Sequence, residues 1–346
     1  MGRSRMRVVV AAASSITAGQ LARDLAADPA LSVQTATTPA QLFDAITLAR
    51  PSVILLDTHF VGPTTPQLTE GLSRQRQIPV VLRCDQSDDA NLLLDSLDAG
   101  ALAISSRPTT PGQTAELNPA LIWTLRSAAE TSVAKLVESP RFEKLNASSD
   151  TTSVLAFGGG IGSLSALQAI LMQLPAAAPG GIAIAPLPAY LTSAWASRLS
   201  VRCDVRIKSA ATGDAIVPGQ LLIAPGNAHM MVRRTAAGLT VVVKDGPALF
   251  HQKPSIEVLF NSLAEHAGQS TIAAYLSGSG DDGVTGLLAL RNAGARTIIQ
   301  SPESCLCPDA PVRAVRCGAG EFTTPIGEIA RQMLELSAQI SLPRAA

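Results

Sequence analysis

Val154-Leu-Ala-Phe-Gly-Gly-Gly-Ile-Gly-Ser163 is a short apolar run ending in glycines, and Ser163-Leu-Ser-Ala-Leu-Gln-Ala-Ile-Leu-Met-Gln-Leu174 follows it with apolar residues at helical spacing. The glycines therefore stand at a strand-to-helix turn. Such a turn presents backbone N–H groups at a helix N-terminus, where anions and oxyanions bind.

The same alternation extends in both directions. Downstream, strands are expected over residues 181–185, 205–207, 220–224, 239–243, 271–276 and 297–300, and helices over 164–174, 193–199, 255–267, 285–293 and 326–338. Leu221-Leu-Ile223 and Leu239-Thr-Val-Val-Val243 are expected to pair as a hairpin-like excursion from the sheet. Upstream, strands at 8–10, around Val33, at 53–56 ending on Asp57, at 78–82 and at 101–104 alternate with helices at 16–25, 42–48 and 91–97. Strands that alternate with helices imply an α/β protein with parallel sheets, and such sheets bind ligands beyond their strand C-termini.

A chain of 346 residues is long for one domain, and two of ordinary size are expected. Residues 6–108 form the first and 153–338 the second; between them 109–152 reads as a linker with one helix at 120–137, turn-rich before it and polar after it. The boundary is expected near 149–153. Apolar residues make up 47% of the chain and aromatics only 3%, which suits closely packed α/β layers.

Lys plus Arg and Asp plus Glu each number 27, with no basic tract, so composition excludes a nucleic-acid-binding face. Apolar stretches such as 182–191 are short and broken by proline, so no membrane insertion is expected. The N-terminus has no convincing leader pattern, and a cytoplasmic location is expected. Cys84, Cys203, Cys305, Cys307 and Cys317 are scattered, as reduced thiols would be. Cys305-Leu-Cys307 with Cys317 offers three sulfurs where a closed zinc site needs four ligands, and no metal site is expected.

Residues 6–108 resemble a two-component receiver domain of flavodoxin-like fold, with Asp57 at the phosphoacceptor position. The resemblance implies an acidic pair after the first strand to hold magnesium, but Ala12 and Ala13 stand there. One carboxylate is a poor magnesium site, and phosphoryl transfer needs its developing charge neutralised. Cys84 stands at or near the switch Ser/Thr position, and Arg107-Pro108 replaces Lys-Pro. Neither magnesium binding nor phosphorylation is expected.

Residues 153–338 resemble the catalytic domain of the chemotaxis protein-glutamate methylesterase (CheB) family, a doubly wound, mostly parallel Rossmann-like fold. The resemblance rests on Gly213-Asp-Ala-Ile-Val-Pro-Gly219, Ile223-Ala-Pro-Gly-Asn-Ala-His229, Lys244-Asp-Gly246, Lys253-Pro-Ser-Ile-Glu-Val-Leu-Phe260, Gly278-Ser-Gly-Asp-Asp-Gly283 and Ala293-Gly-Ala-Arg-Thr297, in that order. It implies a Ser-His-Asp hydrolase acting on receptor glutamate methyl esters. The serine of the family's Gly-Ala-Ser-Thr-Gly-Gly loop falls on Gly160 and the histidine on Pro186; only the aspartate remains, as Asp282. Gly158, Gly159, Ile161 and Gly162 form the loop that would hold the oxyanion, and Ser279 replaces a methionine beside it.

Three functions follow as expectations. A degenerate member would act by binding chemoreceptor cytoplasmic regions, a chemotaxis kinase or an active methylesterase homologue. A surviving methylesterase and glutamine deamidase would need relocated residues drawn from Ser163, Ser165, His229, His251 or His266. Ser163 reads as a helix N-cap, His229 as structural, and Asp282 as a cap for the helix beginning near Val284. Gly158-x-Gly160-x-x-Ser163 is also a nucleotide-loop pattern, without its last glycine or the acid about 20 residues on.

Overall fold

Strands covered on both faces run as unbroken apolar stretches, and the computed structural model of the chain contains two sheets of that kind. It describes residues 5–108, 111–137, 144–145 and 153–341. The chain divides into two compact units, Met1–Glu138 and Ser139–Ala346.

In the first unit β1 (Met6–Ala11), α1 (Ser15–Ala26), β2 (Leu31–Ala36), α2 (Pro39–Ala49), β3 (Val53–Asp57), α3 (Thr65–Glu70), β4 (Val80–Cys84), α4 (Ala90–Asp98), β5 (Ala103–Ser106) and α5 (Pro111–Ala129) follow one another. The sheet order is β2-β1-β3-β4-β5 with every pair parallel, a flavodoxin-like order whose switch point lies between β1 and β3. Every residue of β3 is buried, so Asp57 emerges from the core at that switch point.

Two differences from expectation stand out here. Helix α3 was not foreseen, because Thr-Pro-Gln-Leu-Thr-Glu has one large apolar residue and no amphipathic pattern. The stretch read as turns before residue 120 is the first half of α5, which takes in Pro119, and 133–137 is a separate 3-10 turn. Pro111 opens α5 where a missing N–H removes no helical bond. The boundary expected at 149–153 lies, apart from Ser153, outside the described residues.

In the second unit the order is β6 (Val154–Gly158), α6 (Ser163–Leu171), β7 (Gly180–Ala183), α7 (Ala189–Ser200), β8 (Arg206–Ser209), β9 (Gln220–Ile223), β10 (His229–Thr235), β11 (Gly238–Lys244), α8 (Ile256–Ala267), β12 (Thr271–Tyr275), α9 (Val284–Asn292), β13 (Arg296–Gln300), α10 (Asp309–Arg316), β14 (Phe322–Thr324) and α11 (Ile326–Ser341). Seven strands form one parallel sheet in the order β14-β13-β12-β6-β7-β9-β8. The chain winds outward from β6 on both sides, so the switch point lies between β6 and β12.

The hairpin differs from expectation: β11 pairs with β10, while β9 lies inside the parallel sheet. All four residues of β9 are buried, as an interior strand requires. One apolar cluster joins Met230, Val232 and Val241 of the hairpin to Leu259, Phe260 and Leu263 of α8 and Leu287 of α9. Among the described residues no helix is long and apolar enough to cross a membrane.

Candidate functional site

The loops that follow β6 and β12 meet at the switch point of the second unit. Leu276 N donates to Gly158 O at 2.7 Å, and Gly160 N donates to Ser277 O at 2.9 Å. The two backbones come so close that a Cβ on Gly278 would lie 2.9 Å from Gly160 N, an approach only glycine permits. A Cβ on Gly160 itself would meet Gly278 Cα at 3.3 Å and Ser279 N at 3.7 Å. The first contact is tighter than ordinary packing, so a Cβ at 160 requires the Gly278 backbone to give by a few tenths of an ångström. Gly162, not Ser163, is the N-cap of α6, because Ser163 N already donates to Gly160 O at 3.1 Å.

Asp282 is buried and accepts three hydrogen bonds. Its Oδ1 accepts from Ser255 Oγ at 2.6 Å and Glu257 N at 3.1 Å, and its Oδ2 accepts from Ile256 N at 2.9 Å. It therefore caps α8, not α9, whose N-cap is Gly283. In return Glu257 of α8 accepts from Thr285 Oγ1 at 2.6 Å and Gly286 N at 2.8 Å, in the first turn of α9. Two neighbouring helices thus exchange carboxylates that satisfy each other's orphan N–H groups and oppose each other's dipole ends. Burial pushes the Asp282 carboxyl above the ordinary carboxylate range, against the pull of its hydrogen bonds from Ser255, Ile256 and Glu257. Tyr275 Oη donates to Asp282 O at 2.7 Å, and burial together with the Asp282 charge holds that phenol well above its ordinary value.

Pro186, beyond β7, is half-buried. Leu187 N donates to Ala185 O at 2.8 Å, a three-residue turn that proline's fixed φ suits and that contains no proton carrier. His229 has both ring nitrogens in use: Nε2 donates to Pro247 O at 2.9 Å and Nδ1 accepts from Ser255 N at 3.2 Å. That neutral imidazole ties the β10–β11 hairpin to the start of α8. His251 is exposed at φ 63°, His266 stands 3.9 Å from Glu265, and Ser165 Oγ donates to Gly162 O at 3.3 Å.

At the switch point of the first unit Asp57 is buried and ion-paired to Arg107 through Oδ2. Its Oδ1 accepts from His59 N at 2.9 Å, and Arg107 reaches on to Asp85 Oδ2 at 2.8 Å. Burial alone would lower the Arg107 guanidinium, but the hydrogen bond and charge of Asp57, with Asp85 and Asp88, raise it above its ordinary value. Arg83 beneath donates to Ser105 Oγ and Ser106 O, both at 2.7 Å, and burial, then repulsion by Arg107, pushes it down to about 10. Ala12 is buried and Ala13 exposed, and neither supplies a side-chain oxygen. Cys84 is buried, its Sγ donating to Ser105 O at 3.8 Å.

Residues 155–333 match the family model described as CheB methylesterase. The chain belongs to the CheB methylesterase family. It is 34% identical to protein-glutamate methylesterase/protein-glutamine glutaminase 4 of Anaeromyxobacter dehalogenans, across 97% of this chain and 96% of that one. With protein-glutamate methylesterase/protein-glutamine glutaminase 2 of Syntrophus aciditrophicus the identity is 30%, across 96% and 99% of the two chains. The crystal structure of the Thermotoga maritima CheB methylesterase catalytic domain shares the fold, with a TM-score of 0.52 at 24% identity, covering 53% of this chain and 98% of that chain.

Compared with the CheB loop pattern Gly-Ala-Ser-Thr-Gly-Gly, this chain exchanges volume within the turn. A Cβ on Gly159 would lie 2.4 Å from Ser163 Cβ, so glycine at the alanine position accompanies serine at the last glycine position. Ser255 and Glu257, the partners of the switch-point loops, are absent from the expected site residues; a serine N-cap directly before an apolar helix is the local signal for the first. His59, Asp85 and Asp88 around Asp57 are absent too, although Asp-Gln-Ser-Asp directly after a buried strand marks an acidic loop at the sheet edge.

Proposed function

We propose that this CheB-family chain has lost both ester hydrolysis and phosphoryl acceptance, and acts in the cytoplasm by binding chemoreceptor cytoplasmic regions or the signalling partners of active relatives. One feature supports the reading: by the family's loop pattern Gly160 and Pro186 fall at the nucleophile and base positions, and neither side chain can attack a carbonyl or move a proton. In a serine hydrolase, loss of nucleophile or base alone lowers turnover by about 10⁶. Asp282 has a complete structural employment in capping α8, so its retention does not require catalysis. In the first unit, the Arg107 ion pair on Asp57 and the alanines at 12 and 13 support a receiver that neither holds magnesium nor takes a phosphoryl group.

Nucleotide binding at the Gly158–Gly162 turn is the weaker reading, since packing explains its first glycine: a Cβ on Gly158 would fall 2.4 Å from Ile256 Cγ2. The test is methanol release from methylated receptor membranes, with an active family member as positive control. The expected outcome is no release above buffer together with co-sedimentation of the chain with those membranes. Release abolished by Asp282→Asn would establish a relocated active site instead. Acetyl phosphate is expected to leave the intact mass unchanged; an added phosphoryl group that disappears in Asp57→Asn would overturn the receiver half of the proposal.

A further inference from the structure

At the strand C-terminal edge of the first unit, His59 from the loop after β3 faces Asp85 and Asp88 from the loop before α4. His59 Nε2 lies 3.4 Å from Asp88 Oδ1, and one ligand atom from each of His59, Asp85 and Asp88 lies within 4.8 Å of the others. Nitrogen and oxygen ligands on a tetrahedral zinc ion, each at about 2.0–2.1 Å, are about 3.3 Å apart, so the His59–Asp88 pair already has the bite of such an ion. The surrounding bonds orient both groups. Asp88 Oδ2 is occupied by Thr58 Oγ1 at 2.6 Å and Asp85 N at 2.9 Å, which turns Oδ1 toward the imidazole. Behind the ring, the buried Asp57 places Oδ1 3.4 Å from His59 Nδ1. A carboxylate on the far nitrogen is the usual outer partner of a metal-ligating histidine: it fixes the tautomer and raises ligand basicity.

Charge favours a cation as well. Asp57, Asp85 and Asp88 act on Arg107, which pairs with the first two, and Arg83 is a second cation near Asp57, so the acids outnumber the arginines three to two. Asp88 makes its close contacts with Thr58, the Asp85 amide and His59, and the His59 side chain is 57% exposed, so the cluster opens to solvent. We infer that His59, Asp85 and Asp88 form a three-ligand site for one zinc-type divalent ion, with a fourth position open to water. An imidazole in the set selects zinc-type ions over magnesium, which takes oxygen ligands in octahedral array. The ion competes with Arg107 for Asp85 alone and leaves the Arg107–Asp57 pair in place. Loading ties the loop after β3 to the loop before α4, the two loops that flank Asp57.

The test uses the full chain with Cys317→Ser, to remove the exposed thiol, stripped with a chelator and titrated with Co²⁺ by visible absorption and with Zn²⁺ and Mg²⁺ by calorimetry. The expected result is one Co²⁺ or Zn²⁺ per chain and no Mg²⁺ heat. Loss of an outer partner typically weakens metal binding about 10–100-fold. Asp57→Asn should fall in that range, and His59→Ala and Asp88→Asn should exceed it. His59 is largely exposed, so His59→Ala keeps the fold and leaves the test decisive even if Asp88→Asn unfolds. Binding unchanged in His59→Ala, no stoichiometric Co²⁺ spectrum, or Mg²⁺ binding as tight as Zn²⁺ would each overturn the site.

Discussion

Asp57 and Asp282 are both buried acids at the C-terminal edge of a parallel sheet, but they are satisfied in different ways. Asp57 is held by a guanidinium from beyond β5, which in turn reaches Asp85. Asp282 is held by a hydroxyl and two backbone N–H groups at the start of α8. The first acid is paired with a charge from another loop, whereas the second sits in a cap built mostly from backbone N–H groups. An acid buried at a strand end is therefore no measure of chemistry, because each of these has a structural partner that would retain it.

That contrast can be broken by removing the partners. Asp282→Ala leaves Ser255 Oγ and the N–H groups of Ile256 and Glu257 without their acceptor. Each buried donor left unpaired costs about 1–3 kcal/mol, and relief of a buried charge offsets part of it, so the expected loss is about 3 kcal/mol in the unfolding transition of the second unit. Arg107→Ala should cost the first unit less, about 2 kcal/mol, because the partly exposed guanidinium is replaced by water beside Asp57. Arg107→Lys should recover under half of that, since one ammonium cannot bridge Asp57 and Asp85 as a planar fork does. Denaturant unfolding, with the two units followed as separate transitions, checks all three; equal losses for Asp282→Ala and Arg107→Lys would erase the distinction.

The smallest effect is in pH. Asp282 has a folded-state pKa raised above 3.8 by burial, so the native state binds its proton more tightly than the unfolded chain does. The Asp282 contribution to the stability of the second unit should therefore grow as pH falls through the raised folded value and level off below 3.8, opposite in sign to that of Asp214, whose folded carboxyl is held below the ordinary range. Asp282→Asn should lose this component, seen as a flatter dependence of its Tm on pH.

Much of the architecture was legible because buried parallel strands announce themselves as apolar runs: Val53-Ile-Leu-Leu56 and Val154-Leu-Ala-Phe157 could hardly be anything else. What escaped reading has physical reasons. The six residues of α3 carry no amphipathic pattern, and so short a helix draws its stability from tertiary packing rather than from a local signal. The partner of β11 was misassigned because pairing is a long-range choice, and 220–223 and 229–235 both offer β-branched or long apolar residues. At the sites, Asp57 could be read as the polar end of a buried apolar run. The exchange of carboxylates between α8 and α9 could not, because Asp282 and Glu257 are 25 residues apart in sequence and meet only in the fold.

The most direct measurement is methanol release from methylated receptor membranes by four proteins side by side: the native chain, Gly160→Ser, Pro186→His and the double variant. A Cβ at 160 would meet Gly278 Cα at 3.3 Å and Ser279 N at 3.7 Å, and Asp282 uses three of about four acceptor sites on its carboxylate. The account predicts no release from the native chain or either single variant, and release from the double variant at least about 100-fold above them, as expected when nucleophile and base act as a unit. Release by the native chain at a rate that neither substitution changes would contradict it.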